Sequence, residues 1–127
     1  MRLIANIDKE IYSCITKDIR SDKVILTNTQ KDHIIERRGQ DFFDRFSPYF
    51  SQIAEDPDYI FRDKKHDNTA IACKTLEDNG KNVHLVIRLA VEGDDAGREN
   101  SIITALIESD KRYQQRLRNN SPLYKRE

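Results

Sequence analysis

Residues 68–92, NTAIACKTLEDNGKNVHLVIRLAVE, decide the fold class of this chain. Two aliphatic runs flank Asn79-Gly80, a pair that turns a chain sharply because both residue types tolerate a left-handed backbone. Within 81–92, Val83, Leu85, Ile87, Leu89 and Val91 fall on one side, and His84, Val86 and Arg88 on the other. A period of two is that of a strand with one covered face. Segments 58–63 (DYIFRD) and 99–108 (ENSIITALIE) read the same way. The stretch 58–108 is therefore expected to form four antiparallel strands, the last entered through Gly93-Asp94-Asp95-Ala96-Gly97. Asp94-Asp95, set between glycines, reads as a solvated turn rather than a metal site.

Outside this stretch the apolar spacing changes to three and four. Thr27 and Gln30 stand at capping-box separation and open a helix through about Arg38, with Gly39 as its stop. Over 40–55, Phe42, Phe46, Tyr49, Phe50 and Ile53 make one aromatic helix face, which Pro48 kinks or breaks. KVIL at 23–26 is a short strand, and Asp56-Pro57-Asp58 is a turn. A last helix covers about 109–118 and stops at Asn119-Asn120-Ser121-Pro122. Residues 1–22 read equally as a strand pair or a short helix. The expected architecture is α+β, with N-terminal helices on one face of a four-stranded antiparallel sheet, a short C-terminal helix, and the other face partly open. One domain over 1–127 is expected, with 1–22 as a peripheral or linker-derived segment.

Composition narrows the function classes. Of 127 residues, 37% are hydrophobic, enough for one core. No apolar stretch approaches a membrane span, and MRLIANIDKE lacks the apolar run of a signal peptide, so a soluble, cytoplasmic protein is expected. Lys and Arg number 22, as do Asp and Glu, for a net charge of zero. That excludes a protein held to nucleic acid by bulk charge. The balance is nevertheless uneven, since KRYQQRLRNNSPLYKRE at 111–127 carries six basic residues and one acidic, and a local basic patch is expected there. Cys14 and Cys73 lie in apolar runs without ligand spacing, so buried free thiols and a reducing compartment are expected.

The chain has no GxxxxGK[ST], GxGxxG, HExxH or GxSxG, and its three histidines lack metal-ligand spacing. No metal and no cofactor are expected. His33 and Arg37 in HIIERRGQDF share a helix face one turn apart. The cation would keep the imidazole neutral and able to act as a base, while the guanidinium fork suits phosphate. The plainer reading is an exposed histidine beside a surface arginine. Arg112 and Arg116 repeat that spacing in the last helix, and with Arg118 they form a phosphate-gripping rim. The plainer reading there is cations placed by the helix dipole. Tyr113 is a ring for base stacking or for the core. Thr104, inside SIITA, is a strand former whose hydroxyl would serve a phosphate oxygen. Lys74 and Arg88 are mid-strand charges expected to make the open face basic beside His84.

Taken in order, VILTNTQKDHIIERRGQDF, EDPDYIFRDKKHDNTAI, LVIRL, NSIITA and KRYQQRLRNNSPLYKRE resemble the phage-associated nuclease family of the barnase–EndoU–colicin–RelE superfamily. The resemblance covers about residues 20–127 and rests on the order and spacing of individually weak motifs. It implies the superfamily's BECR fold, helices followed by a four-stranded antiparallel sheet, and a metal-independent endoribonuclease (a hydrolase by class) acting on RNA such as tRNA or mRNA. It also implies a phage or prophage toxin or effector, with an inhibitor protein or a phage head-morphogenesis protein as partner. By position, the family's His-Ile-x-x-Arg segment falls on His33 and Arg37, its strand hydroxyl on Thr104, and its terminal basic positions on Arg112 and Arg116. The implied roles are catalytic for His33, Arg37, Thr104 and Arg112, and substrate-binding for Lys74, Arg88, Tyr113, Arg116 and Arg118. Where the family usually has a further histidine, this chain has Arg38 followed by Gly39. A catalytic role for that histidine implies weakened activity here; a capping role implies little change.

The implied reaction is transesterification by the ribose 2′-hydroxyl, leaving a cyclic phosphate and a 5′-hydroxyl. His33 would move the proton while the arginines neutralise the phosphate. Against this stands a catalytically silent RNA-binding or phage-assembly module of the same fold. A DNA-binding regulator fits less well, because no helix-turn-helix pair is present.

Overall fold

A computed structural model describes residues 2–127. In chain order the elements are β1 (Arg2–Asn6), α1 (Lys9–Tyr12), β2 (Lys23–Leu26), α2 (Asn28–Arg38), α3 (Gln40–Phe46), a 3-10 turn (Ser47–Tyr49), α4 (Phe50–Glu55), β3 (Tyr59–Arg62), β4 (Thr69–Thr75), β5 (Asn82–Arg88), β6 (Asn100–Glu108), α5 (Asp110–Asn119) and β7 (Tyr124–Lys125).

The α+β class holds, but the expected four-stranded antiparallel sheet does not. The sheet has seven strands in the order β1-β2-β6-β5-β4-β3-β7 and is mixed. The four strands read from 58–108 form its antiparallel middle, with Cys73 opposite His84 and His84 opposite Leu106. On the β6 side, β2 pairs in parallel through Val24–Asn100 and Ile25–Ser101, and β1 pairs antiparallel with β2. On the other side the tail adds β7 to β3. Parallel pairing leaves no hairpin signal in sequence, and a two-residue strand is too short to show a period.

The parallel junction is held by a side chain. Asn100 is fully buried; its Oδ1 accepts from the Ala90 N–H at 2.7 Å. Its Nδ2 donates to the carbonyls of Ser21 at 2.7 Å and Lys23 at 2.8 Å. Three backbone groups where two chain segments meet thus find partners in one amide.

The elements form for local reasons. The Thr27 hydroxyl accepts the Gln30 N–H at the start of α2, and Gly39 (φ 98°) takes the positive φ that turns α2 into α3. Pro48 sits in the 3-10 turn that separates α3 from α4. Gly80, at φ 68°, closes the turn between β4 and β5, where Leu76 and Lys81 are hydrogen-bonded.

Alternate strand residues feed two cores. Ile60, Ala72, Leu85 and Ile87 join Ile34, Phe46, Phe50 and Ile53 of α2–α4 in the main core. Phe43, outside the expected aromatic stripe, is also buried there and meets Phe50 edge to face, with ring centroids 6.1 Å apart. Ala5, Ile7, Tyr12, Ile15 and Ile19 of the N-terminal segment belong to the same core. Phe61, Cys73 and Tyr113 make a smaller cluster on the opposite face. The second face is therefore less open than expected, because α5 lies across its His84 end. Cys14 and Cys73 are free thiols, half-buried and buried respectively. No helix among the described residues is long and apolar enough to cross a membrane.

Candidate nucleic-acid interface

The face under α5 is built from side chains on alternate positions of β3 to β6. Cross-strand pairing aligns Phe61 with Ile71, Ile71 with Val86, and Val86 with Thr104. A second row aligns Tyr59 with Cys73 and Cys73 with His84. Ser109 caps α5 by accepting the Arg112 N–H, and Tyr113 and Leu117 then dock the helix on the second row.

Beneath α5 lies a charged cluster. His84 is fully buried, with Nε2 at 2.9 Å from Glu108 Oε1. The same carboxylate accepts from Arg116 Nε and Nη2, both at 3.0 Å. Burial pushes the His84 imidazole below its ordinary 6.5, outweighing the upward pull of Glu108. The ring is then neutral at pH 7, and the geometry assigns its proton to Nε2, donating to Glu108. Nδ1 is buried and makes no hydrogen bond within the geometric limits. For Glu108, burial raises the carboxyl pKa, but the bonds from Arg116 and His84 outweigh it and the net shift is downward. Tyr113 packs on His84 with centroids 5.0 Å apart, and its hydroxyl is buried without a partner.

Around this cluster the face opens into hollows that share walls. The largest, about 650 Å³, lies over Phe61 and Ile71 between the Asp63–Lys65 loop and the end of α5. A second, about 510 Å³, shares Lys65 with it and runs past Thr69, Arg88, Arg98, Ser101 and Ile103 to Gln30 of α2. A third, about 360 Å³, shares Arg116 with the first and is bounded by Glu108, Arg112 and Gln115. Lys64, Lys65, Arg88, Arg98, Arg112 and Arg116 face Asp63, Asp67 and Glu108 around these walls. The positive excess is local in a chain that is neutral overall. Arg20 fixes the loop that carries Arg98, donating to the carbonyls of Asp94, Asp95 and Arg98 at 2.7–3.0 Å.

The structure distributes the residues singled out from sequence unevenly. Arg112 and Arg116 meet at the third hollow, and Arg88 lies in the second. Arg88 is tied to Asp94 at 3.2 Å and to the Leu89 carbonyl. Asp94 is therefore a structural anchor, not a solvated turn residue: its carboxyl also accepts the Val91 N–H at 2.8 Å, which with Arg88 holds it below the usual carboxylate range. Lys74 does not sit beside His84 and Arg88. It pairs with Val83 across the strands, which sends it to the other face. There its Nζ is buried against the Asp56 carbonyl at 2.7 Å and near Asp58. Tyr113 is core, 4% exposed. Arg118 is exposed and lines none of the three hollows.

His33 and Arg37 are exposed on α2, three and seven positions beyond Gln30 and so on the same stripe of that helix. Thr104 is half-buried in the row with Val86. No hydrogen bond or ion pair among the described residues links His33, Arg37 and Thr104. Arg38 supplies the nearest tie, donating from Nε to the Ala105 carbonyl at 3.1 Å. Lys64, Lys65, Arg98 and Glu108 were missed. The Lys64-Lys65-His66 run was a visible signal for the first two, whereas Glu108 and Arg98 gave none until the strands were paired.

No group of three or more His, Cys, Asp or Glu side chains is positioned to hold a metal among the described residues. Comparison of the chain with protein-family models, with curated proteins and with solved structures returned no match.

Proposed function

We propose that this protein is a metal-independent endoribonuclease of phage or prophage origin that cleaves RNA through its 2′-hydroxyl in the cytoplasm of a bacterial host. The observation that carries the reading is the connected set of basic hollows on one sheet face, flanked by α5 and by the Gln30 end of α2. An RNA strand along this face would meet Arg98 and Lys65 near one end and Arg112 near the other, spacing cations along successive phosphates. His33, one turn beyond Gln30 on α2, acts as the proton-transfer group, Arg37 neutralises the phosphate beside it, Thr104 offers its hydroxyl to a phosphate oxygen, and Arg112 neutralises a phosphate at the other end of the face. The nucleophile belongs to the substrate and the positive charge to the arginines, so the reaction needs no added ion. A toxin of this kind works with an inhibitor protein or as part of a phage head assembly, and either is the expected partner.

One observation favours the alternative of a silent RNA-binding module. His33 has no side-chain hydrogen-bond partner among the described residues to orient it, and Arg38, where the resembled family has a histidine, is engaged with a strand carbonyl. Incubation of the purified chain with tRNA and total RNA in excess EDTA separates the two readings. The nuclease reading predicts cleavage that survives the chelator and falls about a hundredfold in His33→Ala. Intact RNA with retained binding replaces it with the binding module.

A further inference from the structure

The largest hollow has two kinds of wall. Its floor is apolar, from Phe61, Ile71 and Leu123, and its rim is cationic and polar, from Lys64, Lys65 and Asn119. Leu123 is 46% exposed and lines this hollow. Its backbone is nonetheless fixed, since its N–H donates to the Ile60 carbonyl at 2.8 Å. Lys64 Nζ reaches Asn120 Oδ1 at 3.1 Å, joining the loop to the end of α5 across the mouth. Arg116 is held by Glu108 and Asp63 by His66, while Arg62, Lys64 and Lys65 line the same hollow without an ion-pair partner among the described residues.

We infer that this hollow is a nucleotide subsite, taking one base of a bound RNA against Ile71 and Leu123 and its phosphate at Lys64 and Lys65. A flat ring with a polar edge and an attached phosphate anion needs these two chemistries side by side, and neither a free anion nor an apolar peptide uses both. A volume of about 650 Å³ lies within the range of roughly 300–1,000 Å³ usual for small-ligand sites. The subsite deepens the RNA-cleavage reading by giving that strand a place where a base, and not only a phosphate, is held.

Backbone amide shifts of the full chain, titrated separately with adenosine monophosphate, adenosine and inorganic phosphate, test the assignment. Adenosine monophosphate is expected to shift the amides of Phe61, Lys64, Asn119 and Leu123, and to bind at least about tenfold more tightly than either fragment. Leu123→Ser and Lys64→Glu, both exposed substitutions, should each weaken it about tenfold. Phosphate binding as well as the nucleotide, or shifts confined to other parts of the face, overturns the subsite. RNA cleavage that persists unchanged in Leu123→Ser also overturns the subsite while leaving the nuclease reading standing. Nucleotide binding that follows these variants, in a protein that leaves RNA intact, supports the subsite and removes the nuclease reading.

Discussion

Asn100→Ala is expected to lower the unfolding free energy by about 4 kcal/mol, read from the shift of the urea midpoint at constant slope. The amide serves the Ala90 N–H and the carbonyls of Ser21 and Lys23, all at 2.7–2.8 Å in a fully buried position. Truncation strands all three, at about 1–3 kcal/mol for each group that water does not reach. Asn100→Asp should fare no better, because it sets a carboxylate oxygen against two carbonyls that need a donor. Ser101→Ala, next to it and half-buried, should change stability by less than about 0.5 kcal/mol. An Asn100→Ala midpoint equal to that of Ser101→Ala would show that the parallel β2–β6 junction is held by something else.

Removing the Glu108 carboxylate is the second large effect. Glu108→Ala leaves His84 buried without its Nε2 partner and releases both bonds to Arg116. The expected loss is about 3 kcal/mol, at the lower end for a broken buried pair because Arg116 reaches solvent at the third hollow. The same cluster gives stability a pH dependence. The folded pKa of His84 lies below its ordinary 6.5, so the unfolded chain takes up the proton first as the pH falls. Its contribution is complete above pH 6.5 and declines as the pH drops below that value. The folded pKa of Glu108 is depressed below its ordinary 4.5, so its contribution is present above pH 4.5 and lost below it. Both signs agree: the protein loosens on the acid side. Chemical denaturation between pH 7 and pH 5 should show falling stability in the wild type and a flatter profile in His84→Phe. Parallel profiles for the two proteins would remove His84 as the cause.

The middle of the fold was legible in the sequence because its signals are local. Thr27, Gly39, Pro48 and the Asn79-Gly80 turn act within a few residues of themselves, and the period of 81–92 states which side of β5 faces the main core. What was hidden depends on pairing distant segments. Nothing in KVIL states that β2 lies parallel to β6, and nothing around Asn100 states that its side chain reaches residues 21, 23 and 90. Lys74 was misplaced beside His84 because facing positions follow from register, and the register between β4 and β5 pairs Cys73, not Lys74, with His84. His84 itself looked like an open-face residue for want of any sign that Tyr113 would fold back over it. The basic patch expected in the tail proved to be shared: Arg116 lines one hollow with Arg112 and another with Lys64 and Lys65, and Lys65 lines a third with Arg98.

The chemistry of the RNA ends tests the central claim most directly. Fragments of tRNA digested by the purified chain in excess EDTA should carry cyclic phosphate at one end and a 5′-hydroxyl at the other. Intact tRNA, or fragments bearing 5′-phosphates, would contradict cleavage by the 2′-hydroxyl on this face.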